Sequence, residues 1–470
     1  MGLVGRHELR ALSARLSRWQ KLALGLAVSF FVIYATAPYD GALRAFFRFQ
    51  QSQATNFYQS QRPSDGWLYR RQRYPIDLDK EIGLIIKTGY GTKHRMPLAL
   101  RALSNESFFP DTIVVQDFPV IPEQKRYNLT NGKEVDVIDI LGWNLDRGAL
   151  KGREHLERIY KYKNLREAVE AEEWVLSEGL GKAIGWELDA MKFLPALEYA
   201  WNTLPKKKWY IMVDDDTYVI KSTLSLLLGH LNFGRPHYLG NPVGDYKGRF
   251  PHGGSSVILS GATLRNLFEW SPEVVAQAHL ESPYAIWGDK LLATSLMKIA
   301  VYLDETYRRF FNGEHPWMTR LWIDRLCLPI VGFHGLGDKQ VMEQVGEIFK
   351  DQEGPVLWSS VPKIYGVPDY QTFMDVPIRP NMNYVGRLDE QSTTVEDVAK
   401  VEDCLDICDR HSTNCMAWVY DPNSKRCDFA PWSILGDLAD GRFSGINGKL
   451  GKRLTDRCHA RPGAALRRGR

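Results

Sequence analysis

The chain has 470 residues, of which 44% are hydrophobic and 12% aromatic, so it is long enough to bury a core in two or three domains. Its 60 basic and 56 acidic side chains give a net charge of +4. This balance provides no dominant basic field of the kind that binds phosphate backbones, so we expect no nucleic-acid partner.

The N-terminal segment has the pattern of a membrane anchor. Residues 1–21 are basic, and residues 22–39, LALGLAVSFFVIYATAPY, carry no charge. An apolar stretch of this length is about the minimum that spans a bilayer, and its basic flank predicts a cytosolic N-terminus with the remainder in a lumen. A cleaved signal peptide is the alternative, because Ala35-Thr36-Ala37 has the small-x-small pattern. The long basic segment and Pro38 favour an uncleaved type II anchor.

Two further features agree with a lumenal location. Five of the six cysteines follow residue 400, which is typical of an oxidising compartment. The triplets Asn105-Glu106-Ser107 and Asn128-Leu129-Thr130 predict glycosylation of Asn105 and Asn128. Residues 40–78 are rich in glutamine and serine and poor in aliphatic side chains, which predicts a stem that buries little surface.

The next part of the chain alternates between predicted strands and helices. Short apolar runs predict strands at residues 82–86, 112–118, 209–213 and 255–260. Apolar residues at helical spacing predict helices at residues 164–178, 187–204, 262–270 and 289–303. Pro195 is expected to kink or break the second of these helices. The alternation predicts a layered α/β domain over roughly residues 79–370.

From about residue 375 the chain becomes rich in cysteine, with Cys404, Cys408, Cys415 and Cys427 close together and Cys458 further on. Cys404 and Cys408 lie one helical turn apart, so both could join one helix to a neighbouring sheet. A zinc site would need paired Cys-x2-Cys or histidine spacings, which are absent, so disulfides are favoured. The partner of Cys458 stays open; Cys327 is possible if the fold brings it close.

Three consecutive aspartates, Asp214, Asp215 and Asp216, follow the predicted strand 209–213. Ligands of open α/β sheets bind at the carboxyl ends of strands. Adjacent carboxylates repel one another, and a bound cation offsets this repulsion. Carboxylate oxygens suit Mg²⁺ or Mn²⁺, and such an ion could also be coordinated by a diphosphate. Because strand side chains alternate, Asp214 and Asp216 could face one ligand together. The alternative is a solvated acidic turn.

Other candidate residues lie further along the chain. Gly253 and Gly254 precede a strand and form either a plain turn or a place where backbone approaches a ligand. Asp289 opens a helix, where it is either a general base or an acid that complements the helix dipole. His334 follows the apolar run LPIVGF and is either a structural histidine or a metal ligand.

These segments together resemble a known family. The order of IKTGYGT, TIVVQDF, GWELDAMKFLPAL, WYIMVDDDTYV, HGGSSVILSG, WGDKLL and FHGLG resembles the fringe-like glycosyltransferases of family 31, especially their fungal branch, over about residues 82–337. The C-terminal cysteine segment resembles a PAN/apple module. The resemblance implies a GT-A-type mixed sheet flanked by helices, a small disulfide-linked α+β domain, and the bridges Cys404–Cys427 and Cys408–Cys415.

The resemblance also implies an activity and residue roles. It implies a UDP-sugar donor, Mn²⁺ (or Mg²⁺), and inverting transfer to a sugar hydroxyl, usually in a β1,3 linkage. Asp289 would be the catalytic base, Asp216 and His334 would bind the metal, and Asp214 and Asp215 would lie against nucleotide and metal. The residues expected to line the donor or acceptor site are Thr88, Gly89, Asp117, Trp186, Lys192, Gly253 and Gly254.

Two departures limit the resemblance. Many fringe relatives have a Pro-Asp-Asp pattern at the base, where this chain has Gly288-Asp289-Lys290. The cysteine framework of the animal members is missing from the core, where Cys327 stands alone, so their substrate specificity does not carry over.

The predicted organisation is a cytosolic tail (1–21), an anchor (22–39), a stem (40–78), a GT-A domain (79–370), a PAN-like domain (375–460) and a tail (461–470). We expect a single-pass type II protein of the Golgi membrane with a lumenal catalytic domain and a glycan acceptor on a glycoprotein, glycolipid or polysaccharide. The alternative is an inactive lumenal or surface carbohydrate-binding protein that acts through the PAN-like module. The complete set of candidate site residues favours the enzyme.

Overall fold

The computed structural model describes residues 17–61, 66–68, 70–103, 111–121, 126–128, 134–411 and 413–459. Its strands in chain order are β1 (Ile82–Lys87), β2 (Thr112–Gln116), β3 (Arg126–Asn128), β4 (Glu134–Asp139), β5 (Trp209–Asp214), β6 (Tyr218–Val219), β7 (Tyr238–Gly240), β8 (Pro242–Val243), β9 (Phe250–Pro251), β10 (Val257–Ser260), β11 (Leu321–Trp322), β12 (Gly332–Phe333), β13 (Arg379–Asn383), β14 (Thr393–Val395), β15 (Ala417–Asp421), β16 (Arg426–Ala430), β17 (Trp432–Ser433) and β18 (Asp437–Ile446).

A seven-stranded sheet in the order β3-β4-β2-β1-β5-β10-β7 forms the centre of the larger domain. Strands β4, β2, β1 and β5 run parallel to one another, whereas β3 is antiparallel to β4 and β10 is antiparallel to both β5 and β7. Every residue of β1, β2 and β10 is buried, as expected for strands covered on both faces. The predicted mixed α/β sheet is therefore confirmed, and the carboxyl ends of β1, β2 and β5 meet at one edge.

The α-helices pack around the seven-stranded sheet and around the smaller sheet of the C-terminal domain, or precede both in the chain. They span Arg18–Thr36, Ala42–Gln61, Leu78–Glu81, Met96–Leu103, Ile140–Asp146, Glu157–Glu170, Trp174–Asp189, Phe193–Thr203, Lys221–Leu228, Gly261–Phe268, Pro272–Glu281, Gly288–Lys298, Lys339–Phe349, Val361–Ile364, Tyr370–Asp375, Val401–Arg410 and Gly448–His459.

Two segments that were each predicted as one helix are interrupted in the structure. The helix predicted at 164–178 is wrong, because the chain leaves helical geometry after Glu170 and Glu172 takes a positive φ of 56°. The helix predicted at 187–204 is likewise two helices, one ending at Asp189 and the next beginning at Phe193. Pro195 lies in the first turn of the second helix, where its missing N–H costs no hydrogen bond.

Glu198 stabilises this second helix against its neighbours through a partly buried polar cluster. Its carboxylate accepts hydrogen bonds from Arg147 Nη1 and His279 Nε2, both at 2.6 Å. Burial alone would raise the pKa of Glu198, but the hydrogen bonds of His279 and Arg147 lower it to about 2.

Glu198→Gln is expected to lower the free energy of unfolding at pH 7 by roughly 1–3 kcal/mol. The folded-state pKa lies below the ordinary value of 4.5, so this stabilisation is complete above pH 4.5 and is lost as pH falls towards 2. Denaturant unfolding of both proteins between pH 3 and pH 8 measures the difference. A difference that grew as pH fell would contradict the assignment.

The C-terminal domain is a five-stranded antiparallel sheet in the order β13-β18-β15-β16-β14, covered by the helix Val401–Arg410. Cys404 on that helix is bonded to Cys427 in β16, and Cys408 is bonded to Cys415 just before β15. These are the two bridges that the PAN resemblance implies. All four cysteines are fully buried and form a small core with Trp418 and other apolar side chains.

The two domains are joined by a strand pair, a shared apolar core and a disulfide bond. Strand β11 of the larger domain pairs with β17 of the smaller one, and apolar residues of both domains form one continuous core. Cys327 is bonded to Cys458, which settles the partner that the sequence left open. The C-terminal helix Gly448–His459 is thereby joined covalently to the larger domain.

The N-terminal part contains the one helix, within the described ranges, that is long and apolar enough to cross a membrane. It spans Arg18–Thr36, with mean hydropathy 1.3 and no burial against the protein, close to the predicted anchor at 22–39. Within the predicted stem, Ala42–Gln61 is a helix in which Ala45 and Asn56 are buried. The helix contacts the 3₁₀ turn Glu305–Phe310, while Phe46, Phe47 and Phe57 stay exposed.

Of the predicted glycosylation sites, Asn105 lies outside the described residues. Asn128 lies in β3, but its side chain and Thr130 are also outside the described part, so both sites stay predictions.

Candidate active site

The aspartate cluster begins at the last residue of β5. In the parallel pairing of β1 with β5, Lys87 lies opposite Asp214, and its Nζ is 2.7 Å from Asp214 Oδ1. The same ammonium lies 3.0 Å from Asp189 Oδ2. Lys87 is almost completely buried, so its charge is held between these two carboxylates at the carboxyl edge of the sheet.

A short antiparallel pair brings His334 to this cluster. Strand β12 pairs with β6, so the residue after Phe333 meets the turn before Tyr218, and His334 Nε2 lies 3.3 Å from Asp216 Oδ1. The other ring nitrogen, Nδ1, lies 3.4 Å from the carbonyl oxygen of Gly313, which orients the ring. Burial disfavours the imidazolium, but the hydrogen bond and charge of Asp216 raise the pKa of His334.

Ligand atoms of Asp214, Asp216 and His334 lie within 4.8 Å of one another. Asp214 and Asp216 therefore face one site, as expected, although only Asp214 belongs to β5 and Asp216 lies in the turn that follows it. Two carboxylates and one imidazole are a donor set that suits Mn²⁺ or Mg²⁺, so the residues present fit a hard divalent cation.

Asp215 points away from this triad into a polar pocket. Its Oδ2 accepts a hydrogen bond of 2.7 Å from Thr88 Oγ1, and its Oδ1 lies 3.4 Å from Arg95 Nη1. Burial raises the pKa of Asp215 to about 6. Asp215 thus ties the aspartate turn to the loop after β1.

One cavity of about 330 Å³ lies over these residues, and we call it the carboxylate cavity. It is bordered by the three aspartates, His334, the loop after β1 and the helix Trp174–Asp189. Among the predicted residues, Thr88, Gly89, Trp186 and Lys192 line it. Trp186 is 61% exposed, so its indole is available to a ligand.

Asp117 is not among the residues that line the carboxylate cavity. It is fully buried behind the cavity wall, where its carboxylate accepts hydrogen bonds from Tyr90 N–H at 3.0 Å and Lys192 Nζ at 2.9 Å. Lys192 also donates to the carbonyl oxygen of Thr88 at 2.7 Å. Asp117 therefore positions the loop after β1 without lining the cavity, whereas Lys192 both holds that loop and lines the cavity.

A second cavity, of about 490 Å³, surrounds Asp289, and we call it the Asp289 cavity. Asp289 lies in the first turn of the helix Gly288–Lys298, and its Oδ2 accepts a hydrogen bond of 2.9 Å from Gly253 N–H. Burial raises the pKa of Asp289 to about 6, against the opposing effect of that hydrogen bond. The carboxylate is thus fixed in place and more basic than an exposed aspartate.

The glycine pair fits tightly between the two groups. A Cβ atom on Gly253 would lie 2.5 Å from Phe193 Cζ, and one on Gly254 would lie 2.2 Å from His334 Nε2. Thr217 donates a hydrogen bond to the carbonyl oxygen of Gly254, which joins the aspartate turn to this segment. The pair is therefore a close backbone approach rather than a plain turn.

Gly254→Ala is expected to displace the His334 ring, because the new methyl group would overlap its Nε2 atom. We expect at least a tenfold loss of affinity for Mn²⁺, comparable with losing a residue that orients a ligand. Manganese titration followed by electron paramagnetic resonance measures it. Gly179→Ala is the control, since a Cβ atom there meets nothing within 4 Å. Equal affinities in the two variants would contradict the prediction.

Sequence reasoning missed several charged residues of the site. Lys87 and Arg95 face the aspartates, Asp189 lies between Lys87 and Lys192, and His252 packs against His334 with ring centroids 5.1 Å apart. Burial would raise the pKa of Asp189, but Lys87 and Lys192 lower it. One signal was available for Lys87, because a lysine that ends a buried apolar run needs a partner.

Comparison with known proteins agrees with this geometry. Residues 189–273 match the Fringe-like family, and residues 381–441 match the PAN domain. The first match covers part of the larger domain, and the second covers most of the smaller one. Over 208 residues, 42% of its length, the chain is 26% identical to glycoprotein-N-acetylgalactosamine 3-beta-galactosyltransferase 1 of Xenopus laevis. That match spans 56% of the relative, slightly over half of its length.

These matches confirm the resemblance to the fringe-like glycosyltransferases with a PAN module, while the fungal branch stays a prediction. The Fringe-like segment includes the aspartate cluster, Lys192 and the glycine pair. It ends before Asp289 and His334, so the roles of those two residues rest on the geometry around them.

Proposed function

We propose that the chain is a metal-dependent, inverting glycosyltransferase that moves a sugar from a UDP-sugar to a glycan hydroxyl, forming a β1,3 linkage. One observation carries the proposal. The carboxylate cavity and the Asp289 cavity adjoin, since Asp214, His334, Asp189 and Trp186 line both. A cation-binding cluster and a buried carboxylate of raised pKa thus face one continuous space, as transfer from a nucleotide sugar requires.

The carboxylate cavity is the proposed donor side. Asp214, Asp216 and His334 would hold Mn²⁺ (or Mg²⁺), which when bound supplies Lewis-acid stabilisation to the departing diphosphate. Thr88 and Gly89 present the loop after β1 to the nucleotide, and the Lys192–Asp117 pair holds that loop. Arg95, beside Asp215 and Asp216, adds a positive charge at the same wall.

Asp289 is the proposed base on the acceptor side. Its carboxylate would accept the proton of the acceptor hydroxyl while that oxygen attacks the anomeric carbon from the face opposite the leaving group. A single displacement of this kind inverts the configuration. With a pKa of about 6, Asp289 is mostly ionised at neutral pH yet more basic than an ordinary aspartate. The Gly253 N–H fixes its orientation.

The acceptor surroundings suit a sugar ring. Trp287, 45% exposed, lines the Asp289 cavity together with Trp186, and aromatic faces of this kind stack on the apolar faces of sugars. The relative's name describes transfer of galactose to the 3-position of N-acetylgalactosamine, so UDP-galactose is the first donor to test and a β1,3 linkage the first product to look for.

The test uses the purified full chain in detergent with a panel of UDP-sugars and glycan acceptors, with UDP release and product linkage as readouts. We expect release with Mn²⁺ or Mg²⁺ and its loss with a chelator. No release from any donor with any acceptor class would contradict the proposal and favour a carbohydrate-binding protein that acts through its PAN domain.

We further propose a single-pass type II topology in the Golgi membrane. The helix Arg18–Thr36 and the three disulfides, which need an oxidising lumen, support it. Protease treatment of sealed Golgi vesicles would leave residues after 40 protected; degradation of the catalytic domain would contradict this orientation.

A further inference from the structure

The largest of the described cavities lies away from the proposed active site, between the two domains. It has a volume of about 870 Å³, and we call it the interdomain cleft. Its walls come from the Fringe-like domain, the PAN domain, the helix Ala42–Gln61 and the C-terminal helix Gly448–His459. The Cys327–Cys458 bond holds that last helix in place.

Arginines dominate the walls of this cleft. Five line it, against one acidic residue, Asp324. They are Arg308, Arg320, Arg325, Arg453 and Arg457.

Two of the five arginines are already paired. Arg325 Nε lies 3.1 Å from Asp324, and Arg320 forms ion pairs with Asp389 and Glu314. For the other three, no ion pair forms with any carboxylate of the described residues. Arg308 Nε is moreover buried without a hydrogen-bond partner. A buried guanidinium donor without a partner is costly, so this cleft has an unmet requirement for an acceptor of negative charge.

The cleft is connected to the Asp289 cavity. A third cavity of about 310 Å³ shares Val243 and His252 with the Asp289 cavity. At its other end it shares Asn241, Arg320, Trp322 and Arg325 with the interdomain cleft. Three adjoining cavities therefore run from the proposed base to the arginines.

The passage also carries an aromatic surface. Trp322 lines both the third cavity and the cleft, and its ring centroid lies 4.4 Å from that of Trp432 in the PAN domain. Arg325 lies over the Trp322 ring at 5.4 Å. Aromatic faces beside guanidinium groups suit a ligand that has both sugar rings and anionic groups.

We propose that the interdomain cleft binds an anionic saccharide segment of the acceptor, remote from the hydroxyl that reacts. The description of this ligand as the acceptor rests on the proposed function, because the third cavity links the cleft to the Asp289 cavity, where the acceptor hydroxyl would lie. The ligand chemistry rests on the arginines alone. Its anionic groups would be carboxylates or sulfates carried by consecutive sugars.

Binding to the full chain in detergent tests the proposal without any donor. The probes are fluorescently labelled hexasaccharides of galacturonic acid, of sulfated chondroitin and of neutral galactose, with inorganic phosphate as competitor. We expect at least one acidic hexasaccharide to bind roughly tenfold or more tightly than the neutral one, with affinity falling as salt rises. The two acidic probes distinguish carboxylate from sulfate recognition.

The double variant R453Q/R457Q locates the binding, because both side chains are exposed and their replacement leaves the core intact. We expect it to weaken acidic-probe binding roughly tenfold. The control R101Q/R410Q removes the same charge from exposed arginines outside the cleft, and we expect a change within about twofold. R308Q adds a third position inside the cleft and is expected to behave like R453Q/R457Q.

Three results would overturn the proposal. The first is equal affinity for acidic and neutral probes, and the second is an equal loss of affinity in the cleft and control variants. The third is displacement of the acidic probes by inorganic phosphate at a concentration similar to the Kd of the probes. Acidic-probe binding with no UDP release would instead overturn the proposed activity and leave the cleft as a saccharide site. UDP release without acidic-probe binding would overturn the saccharide site in the cleft and leave the proposed activity in place.

Discussion

Asp289→Asn is expected to lower kcat of sugar transfer by roughly 10²–10⁴-fold, the usual contribution of a general base. The amide oxygen can still accept the hydrogen bond from Gly253 N–H, so the helix start and the cavity should keep their shape. Affinity for UDP should stay within about twofold, because Asp289 does not line the carboxylate cavity. Steady-state transfer assays and UDP titration measure the two effects separately.

Glu281→Gln provides a control, since this glutamate lies near the protein surface at the end of the preceding helix, outside both cavities. It should leave kcat unchanged. If Asp289→Asn turned over like the wild type, another carboxylate would be the base.

The same residue predicts the pH dependence of transfer. Burial raises the pKa of Asp289 to about 6, while Lys87 opposes this effect and Asp189 adds to it. A base acts in its ionised form, so kcat/KM should rise with pH through about 6 and level off above about pH 7. The residual activity of Asp289→Asn should lack this limb. If the rise of kcat/KM with pH persisted in the variant, a different titratable group would be its cause.

Asp216→Asn is expected to abolish metal-dependent transfer and to lower Mn²⁺ affinity by about 100-fold or more. Replacing a residue that merely orients a ligand costs 10–100-fold in affinity, so removal of a carboxylate ligand should cost at least the upper end. Asp216 also contacts Arg95 and His334, so the variant leaves two cationic side chains with one partner fewer. Manganese binding followed by electron paramagnetic resonance gives a readout independent of turnover.

Asp440→Asn is the matched control, because Asp440 is exposed in the PAN domain, far along the chain from the cluster. Its Mn²⁺ affinity should equal that of the wild type. Wild-type affinity and transfer in Asp216→Asn, with an unchanged melting temperature, would remove Asp216 from the metal site.

Much of the central sheet was predictable because its strands are continuous apolar runs. Strands β1, β2, β5 and β10 fall within two residues of their predicted bounds. Strand β4, with sequence EVDVID, was missed because its alternating pattern belongs to a strand near the sheet edge and lacks a continuous apolar run. The helix break near Glu172 has no glycine or proline to signal it.

The site was predictable where a residue had an unusual local sequence. The aspartate triplet, the glycine pair and His334 between glycines are of this kind. Lys87 and Asp189 were missed because their pairing joins β1 to a helix about 100 residues away, and no local pattern records it. The interdomain cleft could not be predicted because it forms only where the two domains pack together. Nothing in the local sequence distinguishes its arginines from arginines on any protein surface.

The Cys327–Cys458 bond also sets an order of events during synthesis. Its two cysteines are 131 residues apart, so at about 5–20 residues per second Cys327 emerges roughly 7–26 s before its partner. Four other cysteines emerge from the ribosome in that interval, each able to capture the waiting thiol. Correct pairing of Cys327 therefore requires that any bond it forms with one of those four cysteines is exchanged later, and a chain that stops before Cys458 would leave the ribosome with Cys327 unpaired and its C-terminal helix unattached.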